Sequence, residues 1–64
     1  MNLEQSEILN VKDLQLFLHI GRETAYSLMR NKAFPSIRIG NRYLVEREAL
    51  DIWLKSYRGK KFVL

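Results

Sequence analysis

The only proline in this chain, Pro35, follows Phe34 and divides the sequence into stretches of different period. Proline pushes the residue before it toward extended backbone, so a helix running toward Phe34 has to stop there. Upstream of the break, apolar residues recur at helical spacing; directly downstream they alternate as in a strand.

The upstream part divides again. Asn10 is a good helix N-cap, and Asp13 three positions on makes a short version of a capping box, so a first helix starts after Asn10. Val11, Leu14, Phe17 and Leu18 form its apolar stripe; Lys12, Asp13 and Gln15 fall on the wet side, and Leu16 lies off the stripe. His19-Ile20-Gly21 breaks the pattern, and Gly21 can cap a second helix from Arg22 to about Lys32. On that helix Ala25, Leu28 and Met29 share the buried face. Glu23, Tyr26, Ser27 and Arg30 share another, with Arg22 and Thr24 near the start. Two helices of about three turns, joined by a few residues, make the helix-turn-helix pattern.

Beyond Pro35, Ser36-Ile37-Arg38-Ile39 and Tyr43-Leu44-Val45 read as two short strands around Gly40-Asn41. A two-residue loop would pair Ile39 with Arg42 and mix apolar with charged residues on one face. A three-residue loop, Gly40 to Arg42, pairs Ile39 with Tyr43 and Ile37 with Val45, leaving Arg38 and Leu44 on the other face. The second register is the expected one. A last helix runs from about Glu46 to Tyr57, with acids in its first turn and bases at its end, as the helix dipole favours. Ala49, Leu50, Trp53, Leu54 and Tyr57 make its buried stripe, and Trp53 is the largest single piece of expected core. The expected class is mainly α with a small β-hairpin, in a single domain (1–64) with an ordered core of about 8–57 and loose tails.

Sixty-four residues make one domain at most, and 47% apolar residues are enough for one compact core. With no cysteine, neither disulfides nor thiolate metal ligands can supplement that core, and one histidine does not make a zinc site. There is no phosphate-binding glycine loop, and Ser27 has no glycine-flanked elbow, so no enzyme, cofactor or small-molecule ligand is expected. The apolar runs are too short for a membrane span, and Met1 to Glu7 carries two acids and no base, unlike a secretory signal; a cytoplasmic protein is the default expectation.

Charge is unevenly spread. Residues 1–21 carry one base, Lys12, against three acids. Residues 22–42 carry five bases (Arg22, Arg30, Lys32, Arg38, Arg42) against Glu23, and residues 43–64 carry five bases against three acids. The net +4 is thus concentrated in the middle of the chain, giving one basic side. A polyanionic partner or a merely solubilising surface would each account for it.

Three blocks carry a resemblance. Leu9-Asn10-Val11-Lys12-Asp13-Leu14 followed by Leu18-His19-Ile20-Gly21-Arg22-Glu23-Thr24-Ala25-Tyr26-Ser27-Leu28-Met29 is similar to the opening of the excisionase family's DNA-binding domain. Phe34-Pro35-Ser36-Ile37-Arg38-Ile39-Gly40-Asn41-Arg42-Tyr43 continues it, and Glu48-Ala49-Leu50-Asp51-Ile52-Trp53-Leu54 closes it. The family is related to MerR-like helix-turn-helix proteins. The chain departs from its pattern at His19, where glycine is usual, and at Gly21, where a serine or threonine cap is usual. Glu46 stands where proline is frequent, and Leu44 at a wing position often basic.

The resemblance implies a winged helix-turn-helix fold, three helices plus a two-stranded wing. Its second helix would enter the major groove of double-stranded DNA and its wing would meet the minor groove. By position, Arg22, Glu23, Thr24, Tyr26, Ser27 and Arg30 match the groove-facing helix, and Arg38, Gly40, Asn41 and Arg42 match the wing. Excisionases bind beside the attachment site of a phage or mobile element, bend that DNA, and bias an integrase toward excision. Implied partners are therefore DNA, an integrase or recombinase, and neighbouring copies of the chain.

The residue chemistry agrees. Arginine bridges guanine O6 and N7 in the major groove, and Arg22 sits at the helix end where helix-turn-helix proteins place base readers. Glu23 is either an acceptor from cytosine N4, a support for Arg22, or an ordinary first-turn acid. Arg30 and Lys32 are suited to phosphates, and Arg42 at the hairpin tip to the minor groove or its rim. Lys60 and Lys61 are further backbone candidates, placed before an apolar end, Phe62-Val63-Leu64, with no core position left to fill. A small MerR-like transcriptional regulator is the alternative function. A protein-interaction module using the basic face is a third.

Overall fold

The computed structural model describes residues 7–64. The expected loose segment Met1–Ser6 lies outside the described residues. The chain runs β1 (Ile8–Leu9), α1 (Val11–Leu18), α2 (Arg22–Arg30), β2 (Ser36–Ile39), β3 (Arg42–Glu46) and α3 (Arg47–Ser56).

Local chemistry accounts for the helix ends. The Asp13 backbone N–H donates to the Asn10 side chain at 2.8 Å, and the Asn10 backbone N–H donates to the Asp13 carboxylate at 3.1 Å. This is the expected capping box, and it starts α1 at Val11. His19 closes α1 in the left-handed conformation (φ 58°), its N–H bonded to the Gln15 carbonyl. Gly21 is the N-cap of α2 at an ordinary φ of −73°. The second helix stops at Arg30, short of the expected Lys32. Asn31 is extended there, and its side-chain oxygen accepts the Ala33 N–H at 2.8 Å. An asparagine side chain that closes its own turn competes with helix continuation.

One cluster forms the core. Leu9, Leu14, Ala25, Leu28, Met29, Phe34, Val45 and Leu50 are buried together, drawn from every element except β2. Val11, Leu18, Ile20, Tyr43, Trp53 and Leu54 pack around it half-buried. Trp53 is therefore at the edge of the core, and Leu14, Met29, Val45 and Leu50 are its fully buried centre.

The sheet has three strands in the order β1-β3-β2, all antiparallel, one more than the expected hairpin. Two residues of β1 are too few to show a period, but they place Leu9 opposite Val45 and so seal one end of the core.

The hairpin register differs from the expected one. Ile39 pairs with Arg42, Arg38 with Tyr43, Ile37 with Leu44 and Ser36 with Val45, around a two-residue turn. Gly40 supplies the positive φ (61°) at the first turn position, the geometry that suits a tight hairpin. Directly paired residues share a face. Val45 and Tyr43 thus share a face with Ser36 and Arg38, with Val45 buried in the core and Arg38 exposed toward the turn, whereas Ile37 and Ile39 lie on the other face, 43% and 63% exposed. Gathering all four apolar side chains on one face is overruled because β3 alone supplies the inward apolar residue. Ser36 adds a polar tie, its Oγ donating to the Met29 carbonyl at 2.6 Å.

α3 follows its expected span, with Glu46 as N-cap. After Tyr57 the chain turns through Gly59 (φ 77°), and the Lys60 N–H donates to the Tyr57 carbonyl at 2.9 Å. Phe62 then meets the rings of Trp53 and Tyr57 edge-on, at centroid distances of 5.0 and 4.9 Å. A core position was left to fill after all, and Phe62 fills it; Val63 and Leu64 are exposed. On the opposite side Arg47 stands between Glu7 (3.6 Å) and Asp51 (3.4 Å), with its guanidinium 4.3 Å from the Phe17 ring centroid. Arg47 thus ties the start of the chain, α1 and α3 together.

Candidate nucleic-acid interface

The side of α2 opposite Ala25, Leu28 and Met29 faces outward. Residues at i, i+3 and i+4 share one face of a helix, so the wet stripe is decided once Ala25, Leu28 and Met29 take the core. Arg22, Glu23, Tyr26, Ser27 and Arg30 line one shallow depression along it. Thr24 is exposed in the first turn but lies outside that depression.

Aromatic contacts join this stripe to the hairpin. The Arg22 guanidinium lies 5.7 Å from the Tyr26 ring centroid, and Tyr26 meets Tyr43 edge-on, 6.5 Å between centroids at 84°. Arg38 in turn lies 5.5 Å from the Tyr43 ring centroid, and its Nε donates to the Gly40 carbonyl at 3.1 Å. A continuous row, Arg22, Tyr26, Tyr43, Arg38, therefore runs from the start of α2 to the hairpin turn. The observed register makes this row, because it pairs Arg38 with Tyr43 on one face. Asn41 and Arg42 are exposed at the tip beside it.

The electrostatics are one-sided. Among the described residues both ion pairs belong to Arg47, with Glu7 and Asp51 as partners. Arg22, Arg30, Arg38 and Arg42 are left unneutralised along α2 and the hairpin, with Glu23 as the acid among them.

The chain matches the family described as a helix-turn-helix domain over residues 8–58. It belongs to that family. Neither curated proteins nor solved structures gave a match. The match spans every element from β1 to α3, and three helices with an antiparallel hairpin are the winged form of the helix-turn-helix fold. This is a DNA-binding domain of the excisionase-like family.

Within this helix-turn-helix domain the candidate residues separate into those the fold unites and those it does not. Arg22, Glu23, Tyr26, Ser27 and Arg30 are united on α2, and Arg38, Gly40, Asn41 and Arg42 at the hairpin. Gly40 serves through its backbone conformation. Lys32 instead borders an apolar hollow with Phe34, Pro35, Ile52 and Trp53, on a different part of the surface from the α2 stripe. Lys60 and Lys61 are exposed on the segment that Phe62 holds against α3. Tyr43 enters the site unannounced, since the expected register placed it with Ile39. No helix among the described residues is long and apolar enough to cross a membrane.

Proposed function

We propose that this domain binds duplex DNA in a sequence-specific manner, with the outer stripe of α2 in the major groove and the hairpin against the adjacent minor groove. It acts in this reading as a recombination directionality factor of excisionase type, bending DNA near an attachment site and biasing an integrase toward excision. The observation that carries the DNA-binding part is the unneutralised row of arginines from Arg22 to Arg38, on the two elements that the winged fold presents to grooves. Arg22 and Ser27 supply base-edge donors, Arg30 a phosphate contact, and Arg42 a cation at the narrow tip. The excisionase part rests on the family resemblance of the three sequence blocks.

Two experiments test the two parts. In a mobility shift at fixed salt, genomic DNA bearing the site should bind more tightly than scrambled DNA. With about four to six phosphate contacts, log affinity should fall against log salt with a slope of roughly −4 to −5. Equal binding to both DNAs would leave an acidic-partner module as the better reading. In an excision assay with purified integrase, the protein should stimulate the reaction; specific binding without stimulation would favour the small MerR-like regulator.

A further inference from the structure

Lys12, on the wet side of α1, lines two adjoining hollows. One it shares with Gln15, Leu16, Arg22 and Tyr26, the other with Asn10, Tyr26, Asn41, Arg42 and Tyr43. It therefore borders both the hollow shared with the start of α2 and the hollow shared with the tip of the hairpin. The second hollow has a volume of about 230 Å³. That is many times the roughly 10–15 Å³ that one water needs on the same measure, room enough for a hydrated phosphodiester group.

Among the described residues the acids nearest Lys12 in sequence are engaged elsewhere. Asp13, its neighbour, has its carboxylate turned to the Asn10 backbone N–H, and Glu7 pairs with Arg47. Among the described residues Lys12 forms no ion pair. The first-turn N–H of Asp13 is likewise taken, by the Asn10 side chain, and the Lys12 ammonium is the charged donor that α1 brings to this cleft.

We infer that Lys12 and the cleft between α1, Tyr26 and the hairpin tip are a seat for one backbone phosphate of duplex DNA. The inference rests on the duplex-binding reading above. Adjacent major and minor grooves are bordered by a shared phosphate backbone, so a protein with α2 in one and a hairpin in the other must pass over that backbone between them. Lys12 is the cation that α1 contributes at that crossing, beside Arg22 of α2 and Arg42 of the hairpin. A lysine there acts as a point charge, supplying affinity and register without base information.

The test uses the full chain and a duplex containing the binding site, beside a scrambled duplex, over a range of salt. Lys12→Ala should weaken both duplexes to the same degree, roughly three- to tenfold, and flatten the salt slope by about 0.9. Lys12→Arg should restore both quantities. Lys55→Ala, on the exposed side of α3, should change neither. Far-UV circular dichroism and the melting temperature of Lys12→Ala should match the parent. If Lys12→Ala binds like the parent while Arg22→Ala binds weakly, the phosphate seat is wrong and the duplex-binding reading survives. A loss confined to the specific duplex would overturn the seat in favour of base contact. If the parent shows no salt-dependent DNA binding, both fall together.

Discussion

Tyr26 on α2 and Tyr43 on β3 meet edge to face, 6.5 Å between ring centroids, and each carries an arginine beside its ring. The contact couples the orientation of the hairpin to that of α2. Edge-on aromatic pairs contribute about 0.5–1.5 kcal/mol beyond simple burial. Tyr43→Ala should therefore weaken DNA binding by about tenfold through loss of the coupling, and Tyr43→Phe, which keeps the ring, should stay within about twofold. Equilibrium binding by fluorescence anisotropy, with melting curves to exclude unfolding, decides between them. Equal losses for Phe and Ala would implicate the hydroxyl instead of the ring.

Arg22 and Arg30 lie on one stripe but should behave differently. Alanine at Arg22 is expected to cost about 1–3 kcal/mol on the specific site and to relax preference at one base position. Alanine at Arg30 is expected to weaken all sequences alike and to reduce the salt slope by about 1. Binding to a library of single-base variants of the site separates the two. Silence of both would mean that α2 is not the groove-facing helix.

His19 holds a left-handed conformation that its β-carbon disfavours. His19→Gly should raise stability by roughly 0.5–1 kcal/mol, a gain of about 2–8 °C in melting temperature for a domain of this size. DNA affinity should be unchanged, because His19 is exposed and lies outside the α2 stripe. A fall in melting temperature would show that the imidazole makes a contact worth more than the strain.

Phe62 closes the aromatic group of Phe34, Trp53 and Tyr57. Phe62→Ala should destabilise the domain by about 1–3 kcal/mol and red-shift the emission of Trp53, the single tryptophan, as water reaches it. Removing Val63 and Leu64 alone should leave stability unchanged, since both are exposed. An unshifted emission spectrum for Phe62→Ala would mean that the tail does not pack on α3 in solution.

Leu50→Ala provides the contrast within the core. Leu50 is fully buried, so its truncation should cost about 2–5 kcal/mol, enough to unfold much of so small a domain at ambient temperature. Circular dichroism would register the loss of helix directly. A cooperative, near-parent melt would place the core elsewhere.

Much of this protein was determined by residues acting on near neighbours. The capping pair Asn10 and Asp13, the apolar spacing of Ala25, Leu28 and Met29, and the extended backbone before Pro35 each work over a few residues. Local forces of that range leave a readable period, and they also select the wet stripe of α2 by elimination. What lay beyond their reach was decided by contacts between distant segments. The hairpin register was chosen by Val45 in the core and by the turn at Gly40, against the tidier apolar pairing, and that choice put Arg38 beside Tyr43. β1 exists because β3 offers it a partner, Phe62 is half-buried because Trp53 and Tyr57 present a surface to it, and Lys12 shares a hollow with the hairpin tip through the packing of α1 beside α2. None of these has a period or a motif, since each depends on a surface that forms only when the chain has already folded.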